Sequence, residues 1–492
     1  MAKKLIAVAL TLVLLLTLSS AVASAAPPAQ DEGQTYVVVA DDWLSKLADK
    51  YLGNVFAWQA ITVATNKKHA EDPSYARITN PDLIEVGDKL WIPSAAEAEA
   101  FMEEFDLAGN YITLYQFGDQ TGPYGPITAP LIDGVNDAVG YLNSIGGIRG
   151  ATVRIVWADT GGNIEESISI YNRYREATPK PIILFTYSSP ETEALRDRYE
   201  EDQIPVLGAG VSTPGLYPPA YVFGIVPLYI DQFGLMLDWV TENWATVKPK
   251  NAGDEIKLAF VTWPGAFGEA MDTPETQAYA AAKGVEIVGK ELFTPSATDV
   301  TTQLLAAQAA GANVIWTNSL ATGPALILKD ATALGLRDDI LITGCNWAID
   351  STVVALGGEA AAGLIAPMPY QWWNETDQPG VKILNEQFVA NERPAAYQNL
   401  AYLMAWGMVD MARASIEKAI DDVGFKNLDG EAVYNAIQTV GAVDALEGLM
   451  TFEYGPKTRA TNRMRIAKIE GGQIVPLSDW LTTPNLLPEE FK

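Results

Sequence analysis

Hydrophobic patterning divides the chain into three regimes. The first is a single apolar run. Lys3 and Lys4 precede Leu5 to Leu18, and the small-residue stretch "SAVASAAPP" follows. This is the layout of a secretory signal peptide over residues 1–25, with Ala23-Ser24-Ala25 as the cleavage site. The run is shorter than a comfortable membrane span. No comparably long apolar segment occurs later, so the mature chain is expected to be soluble and exported. Residues 26–34, "APPAQDEGQ", are polar and Pro-rich and read as a linker.

The second regime covers residues 35–94 and switches period twice. "TYVVVA" is a short β-branched strand. In "DDWLSKLADKYLG", Trp43, Leu44, Leu47 and Tyr51 recur at helical spacing, and Gly53 is a stop signal. "AWQAITVATN" predicts a second helix ending at Asn66. "NPDLIEVGDKLWIPS" then predicts a turn at Gly87 and a closing strand to Pro93. The unit is β-α-α-β. The Ala/Glu-rich "AAEAEAFMEEFDLA" within residues 95–109 is a helical connector.

From Tyr111 onward apolar strands alternate with amphipathic helices. "YITLYQF", "ATVRIVWAD", "PIILFTY", "IPVLGAG", "KLAFVTW", "VEIVGKELF", "ANVIWTNS" and "DILITGC" are the strands. This alternation predicts an α/β fold of parallel sheets with helices on both faces. The region is too long for one such sheet, so two lobes are expected. Ligands of open parallel sheets bind at the carboxyl ends of the strands, and several of these strands end in Gly, Ser, Thr, Asn or aromatic residues.

Charge and composition narrow the function. The net charge of −28 provides no basic face for phosphates, which argues against a nucleic-acid partner and against an anionic lipid surface. The one cysteine, Cys345, and the one histidine, His69, equip the chain poorly for triad or zinc chemistry, so no metal and no cofactor are expected. "GVEIVGKE" (284–291) has the spacing of a phosphate-binding loop. It fails at Glu291, where Ser or Thr would hold magnesium, and its centre reads as a strand. "GAG" at 208–210 lacks the third glycine of a dinucleotide fingerprint. Ser188 and Ser189 have no nearby base. The expectation is a binding protein and not an enzyme.

Two resemblances sharpen this. Residues 35–94 resemble a LysM domain through "YVVVADDWLSKLADKY", Asn66 and "NPDLIEVGDKLWIP". That resemblance implies binding to N-acetylglucosamine polymers such as peptidoglycan. Residues 111–485 resemble the periplasmic-binding-protein type I family, most nearly the branched-chain amino-acid-binding proteins of ABC importers. The carrying segments include "TGPYGPITAPLIDGVNDAVGYLNSIGGIRG", "YSSPETEALRDRYEEDQIPVLGAGVSTPGLY", "FGEAM" and "EAAAGLIAPMPY". The resemblance implies two Rossmann-like lobes, 110–228 plus 368–450 and 229–367 plus 451–492. Three hinge segments near residues 228, 367 and 450 would join them, and the lobes would close on a small solute. A permease would be the partner. A ligand sensor on the same scaffold is the alternative.

The resemblance also implies site residues. Ser189 and Ser212, with backbone support from Tyr187 and Gly210, would hold a carboxylate. Ser189 would double as the cap of the following helix, with Pro190 at its first turn. Tyr124, Phe267 and Tyr397 would supply aromatic walls. Asn346 stands where the amino-acid binders carry the glutamate that pairs with the solute's ammonium. An amide offers no charge to offset a buried cation. A carboxylate-bearing solute without an ammonium, or an amide, fits this chain at least as well as an α-amino acid. Asp350 or Glu269 could substitute for that acid, and Trp263, Trp316, Trp347, Trp372 and Trp373 could wall an aromatic ligand.

Overall fold

The structure is a computed structural model that describes residues 33–54, 57–78, 84–105 and 110–492. The expected signal peptide and most of the linker lie outside the described residues. The chain forms two compact units, 1–106 and 107–492.

In the first unit, β1 (Gln34–Val37) pairs antiparallel with β2 (Lys89–Ile92) over the helices Leu44–Leu52 and Trp58–Glu71. Leu44, Leu47, Ile61, Leu90 and Ile92 form its core. Gly53 ends the first helix at φ 67°, as its stop signal predicts. The second helix does not stop at Asn66 but runs on to Glu71. Asn66 uses its side chain instead. Its Nδ2 donates to the Ile78 carbonyl at 2.9 Å and its Oδ1 accepts from the Ile78 amide at 2.8 Å. The clamp is lateral, so the helical backbone continues through Lys67 and Lys68. His69 bonds the Tyr75 carbonyl at 2.7 Å, a structural role within this unit.

The second unit holds two main sheets and a short antiparallel pair, β13 (Val443–Asp444) with β14 (Met450–Phe452). The five-stranded sheet has the order β4-β3-β5-β6-β7: β4 (Thr152–Asp159), β3 (Tyr111–Gly118), β5 (Leu184–Thr186), β6 (Val206–Gly208) and β7 (Val222–Gly224). All its pairings are parallel. The other sheet runs β16-β15-β12-β11-β10-β8-β9. Its parallel part comprises β9 (Val285–Leu292), β8 (Ile256–Thr262), β10 (Val314–Thr317), β11 (Leu341–Gly344) and β12 (Ile365–Met368). β15 (Arg463–Glu470) and β16 (Gln473–Pro476) add an antiparallel edge, and the short β17 (Leu481–Thr482) pairs with β15. "GVEIVGKE" is the turn at Gly284 and strand β9, so it forms no phosphate loop.

Near-continuous apolar strands are what a sheet covered on both faces requires. In the first lobe one face packs Tyr115, Phe117, Tyr171, Tyr174, Leu195 and Tyr199. The helices Gly125–Ser144 and Leu400–Val423 pack against each other. Gly134 lets them approach, because a Cβ there would sit 2.7 Å from the Tyr402 carbonyl oxygen. The chain leaves the first sheet after β7 and enters the second lobe through the helix Tyr229–Val247. It returns after β12. The segment before β15 runs beside β7, where the Gly224 amide donates to the Arg459 carbonyl at 2.7 Å.

Candidate functional site

The strand orders locate the site before any side chain is considered. In the first sheet the chain winds outward from β3 to β4, then reverses to β5 on the other side of β3. In the second it winds from β8 to β9, then reverses to β10. Each reversal opens a crevice at the carboxyl ends of its central strands. A cavity of about 30 Å³ lies between the lobes there. Its walls come from the segments after β3 (Tyr124), β5 (Tyr187, Ser188, Ser189, Pro190), β6 (Gly210), β8 (Phe267), β10 (Leu320) and β11 (Trp347). Ile127, Thr128 and Leu131 extend the Tyr124 wall along one helical face, and Tyr229 completes the floor. None of these side chains carries a charge.

The aromatic walls are mutually braced. Tyr124 lies 6.2 Å from Tyr187 and 6.4 Å from Trp263, centroid to centroid. Tyr229 meets Phe267 edge-on at 5.2 Å. Trp347 Nε1 donates to the Tyr229 hydroxyl at 3.0 Å. Burial raises the pKa of Tyr124, Tyr187 and Tyr229, so their hydroxyls stay protonated donors. Asp119 accepts from the Tyr124 amide at 2.9 Å, which fixes the loop that presents the Tyr124 ring.

The polar end of the cavity is the N-terminus of the helix Ser189–Glu201. Its cap is Ser188, not Ser189. Ser188 has extended backbone angles, and its hydroxyl accepts from the Glu191 amide at 3.5 Å. Ser189 is therefore the first helical residue and Pro190 the second. Freed from capping, the Ser189 hydroxyl donates at 3.2 Å to the carbonyl of Gly210, in the neighbouring loop after β6. Behind it Glu191 is fully buried, and burial pushes its carboxyl up to about 7. Its oxygens accept from Ser167 at 2.7 Å and from Thr186. In its neutral form Glu191 does not oppose an anion at the helix end.

The structure thus brings together Tyr124, Tyr187, Ser189, Gly210 and Phe267. Three expected residues stand apart from the cavity. Ser212 gives its hydroxyl to Glu193 and faces a separate space of about 650 Å³ beside Tyr217, Ile230 and Phe491. Tyr397 sits in the turn Ala395–Tyr397, held where the Gln398 carbonyl accepts from Ser351 at 2.7 Å. Asn346 is fully buried and not among the residues that line the cavity, its main-chain N–H donating to Gln232 at 2.9 Å. Neither substitute acid is free for an ammonium. Asp350 is buried and accepts from the Thr352 and Leu400 amides, and Glu269 pairs with Lys290 at 2.9 Å.

Of the tryptophans, Trp347 lines the cavity. Trp263 braces Tyr124 and Phe267. Trp316 is core, bonded to Asn318, and Trp373 donates to the Asn399 carbonyl. Trp372 and Trp373 face a different space, beside Ser351 and Gln398. Tyr229, Thr128, Leu131 and Leu320 are lining residues that sequence reasoning missed. The spacing Tyr124, Ile127/Thr128, Leu131 was a visible helical stripe, but it has the same pattern as a core-facing one. Cys345 is buried, with its thiol pushed up to about 12, and is not a nucleophile.

An uncharged crevice between two parallel-sheet lobes, with a helix N-terminus at one end, defines a two-lobed solute-binding protein. A family model described as periplasmic binding protein matches residues 116–473, and the chain belongs to that periplasmic-binding-protein type I family. It is 23% identical to the leucine-, isoleucine-, valine-, threonine- and alanine-binding protein of Pseudomonas aeruginosa over 328 residues, 66% of this chain and 83% of the relative. A branched-chain amino acid ABC transporter structure from Thermus thermophilus with bound valine superposes with TM-score 0.69 at 23% identity, over 77% of this chain and 98% of that one. A solute-binding protein from R. palustris in complex with 4-hydroxybenzoate gives 0.64 at 14% identity, over 76% and 98%. Family members are extracytoplasmic, and among the described residues no helix is long and apolar enough to cross a membrane.

Proposed function

We propose that this chain is the exported solute-binding subunit of an ABC importer and that it takes an apolar, preferably aromatic, carboxylate between its lobes for delivery to a permease. The observation that carries this reading is the cavity's lining: hydroxyls and a helix N-terminus at one end, aromatic and aliphatic walls elsewhere, and no acid to receive an ammonium. A helix N-terminus with a hydroxyl binds an anion without a full cation. The valine and 4-hydroxybenzoate held by the two structural relatives share a carboxylate and an apolar body, which supports the class. The test is a thermal-shift and calorimetry panel of benzoate, 4-hydroxybenzoate, isovalerate, valine and leucine. Benzoates are expected to raise the melting temperature more than leucine does, and Ser189→Ala to weaken them about tenfold. Leucine as the strongest ligand would overturn the solute class.

We extend the proposal to the first unit, whose β-α-α-β form would attach the protein to peptidoglycan. Deleting residues 35–94 should abolish co-sedimentation with purified peptidoglycan. Unchanged sedimentation would reject the attachment.

A further inference from the structure

We propose that Asp350 and Ser351 form a latch between the lobes, which holds the cleft closed from outside its lining and sets how long a solute stays. The inference rests on the reading that the lobes close on a solute. It assigns positioning residues, since neither side chain lines the cavity.

Asp350 belongs to the second lobe. It follows β11 and caps the helix Ser351–Gly357, its Oδ2 accepting from the Thr352 amide at 3.2 Å. Its other oxygen leaves that lobe. Oδ1 accepts from the Leu400 amide at 3.0 Å, at the start of the helix Leu400–Val423, which packs in the first lobe. One carboxylate thus caps two helices, one from each lobe. An amide in the first turn of a helix has no acceptor within that helix. Asn399, the residue before, gives its own side-chain oxygen to the Tyr402 amide. The Leu400 amide is satisfied from the opposite lobe instead. A second bond crosses beside the first, where the Ser351 hydroxyl donates to the Gln398 carbonyl at 2.7 Å. Asp350 is fully buried, so water does not compete for its two amides.

The latch ties together the elements that carry the two walls. Trp347, three residues before Asp350, walls the cavity from the second lobe. The helix that receives Asp350 packs on Gly125–Ser144, which presents Ile127, Thr128 and Leu131 from the first. Parting the lobes pulls Asp350 from Leu400 and Ser351 from Gln398. Bonds made only in the closed state favour that state, whichever solute is inside. They lengthen the stay of every solute without choosing among them.

Two variants test this on the full chain. An amide offers one acceptor oxygen where a carboxylate offers two, so Asp350→Asn can cap one helix only. Ser351→Ala removes the second crossing bond and no cap. The measurement is stopped-flow fluorescence with benzoate and isovalerate. Each variant is expected to raise the dissociation rate about fivefold, the worth of one hydrogen bond, by the same factor for both solutes and with association unchanged. A rise for one solute only shows that these residues meet the solute, and unchanged dissociation in both variants shows contacts that persist on opening. Either result overturns the latch while the solute class stands. If the wild type binds neither solute, the solute class falls and scattering of the free proteins decides the latch alone. A larger radius of gyration in the variants supports it, and equal radii overturn it. Should Asp350→Asn not fold, Ser351→Ala carries the same test.

Discussion

Glu191 shows how one residue serves both fold and site. An acid in the first turn of a helix normally profits from the dipole by staying ionised. Here full burial outweighs that, and hydroxyls from Ser167 and Thr186 satisfy the carboxyl. The folded-state value of about 7 lies above the ordinary 4.5. Between these values the native chain keeps a proton that the unfolded chain has released. Stability therefore falls as pH rises from about 4.5 to about 7, by roughly 3 kcal/mol, and is flat above. Asp231, also raised to about 7 by burial, acts in the same direction. Urea unfolding of Glu191→Gln between pH 5 and 8 should show a shallower decline than the wild type, with the Asp231 slope remaining. Equal slopes would mean that Glu191 is ionised throughout.

At the scale of elements, the cleft depends on how the helix Gly125–Ser144 is held, because its first two turns present Ile127, Thr128 and Leu131. Arg393 clamps it from a neighbouring loop, with bonds of 2.7 Å to both oxygens of Asp137 and to Asp133. The Tyr402 hydroxyl adds a bond of 2.7 Å to Asp137. Arg393→Met would leave the buried Asp137 carboxylate short of its main partner. The loss is expected to be about 2 kcal/mol, below the range for fully buried pairs because Arg393 retains contact with water. Chemical denaturation checks this, and Asp137→Asn in the same background should restore part of the loss.

On the scale of the molecule, two lobes meet over a space of about 30 Å³. Both lobes wall that space, so a solute entering it is expected to part them about the segments that join them. Small-angle scattering of wild type with saturating benzoate should give a radius of gyration no larger than that of the free protein. At a benzoate concentration near the wild-type Kd, Ser189→Ala, binding about tenfold more weakly, should scatter close to the unliganded protein. Expansion on binding would contradict closure.

Much of this was legible in the chain. The alternation from Tyr111 onward determined parallel sheets in two lobes, because strands buried on both faces must be apolar throughout. Strand ends in Tyr, Ser, Gly and Phe marked where a ligand would sit, and Tyr124, Tyr187, Ser189, Gly210 and Phe267 meet there. What linear spacing could not convey is orientation. Adjacent residues after a strand point in different directions once a turn begins. Ser188 became the cap while Ser189 faced the crevice, and Trp347 took the wall while Asn346, one residue earlier, stayed out of the lining. Ser212 turned to Glu193. Tyr229, which sequence alone would assign to a helix core, became the cavity floor because the chain crosses between the lobes there. Periodicity follows from local backbone geometry, which each segment carries with it. The lining of a cleft is decided by which lobe each side chain meets, and that contact exists only after the chain has folded.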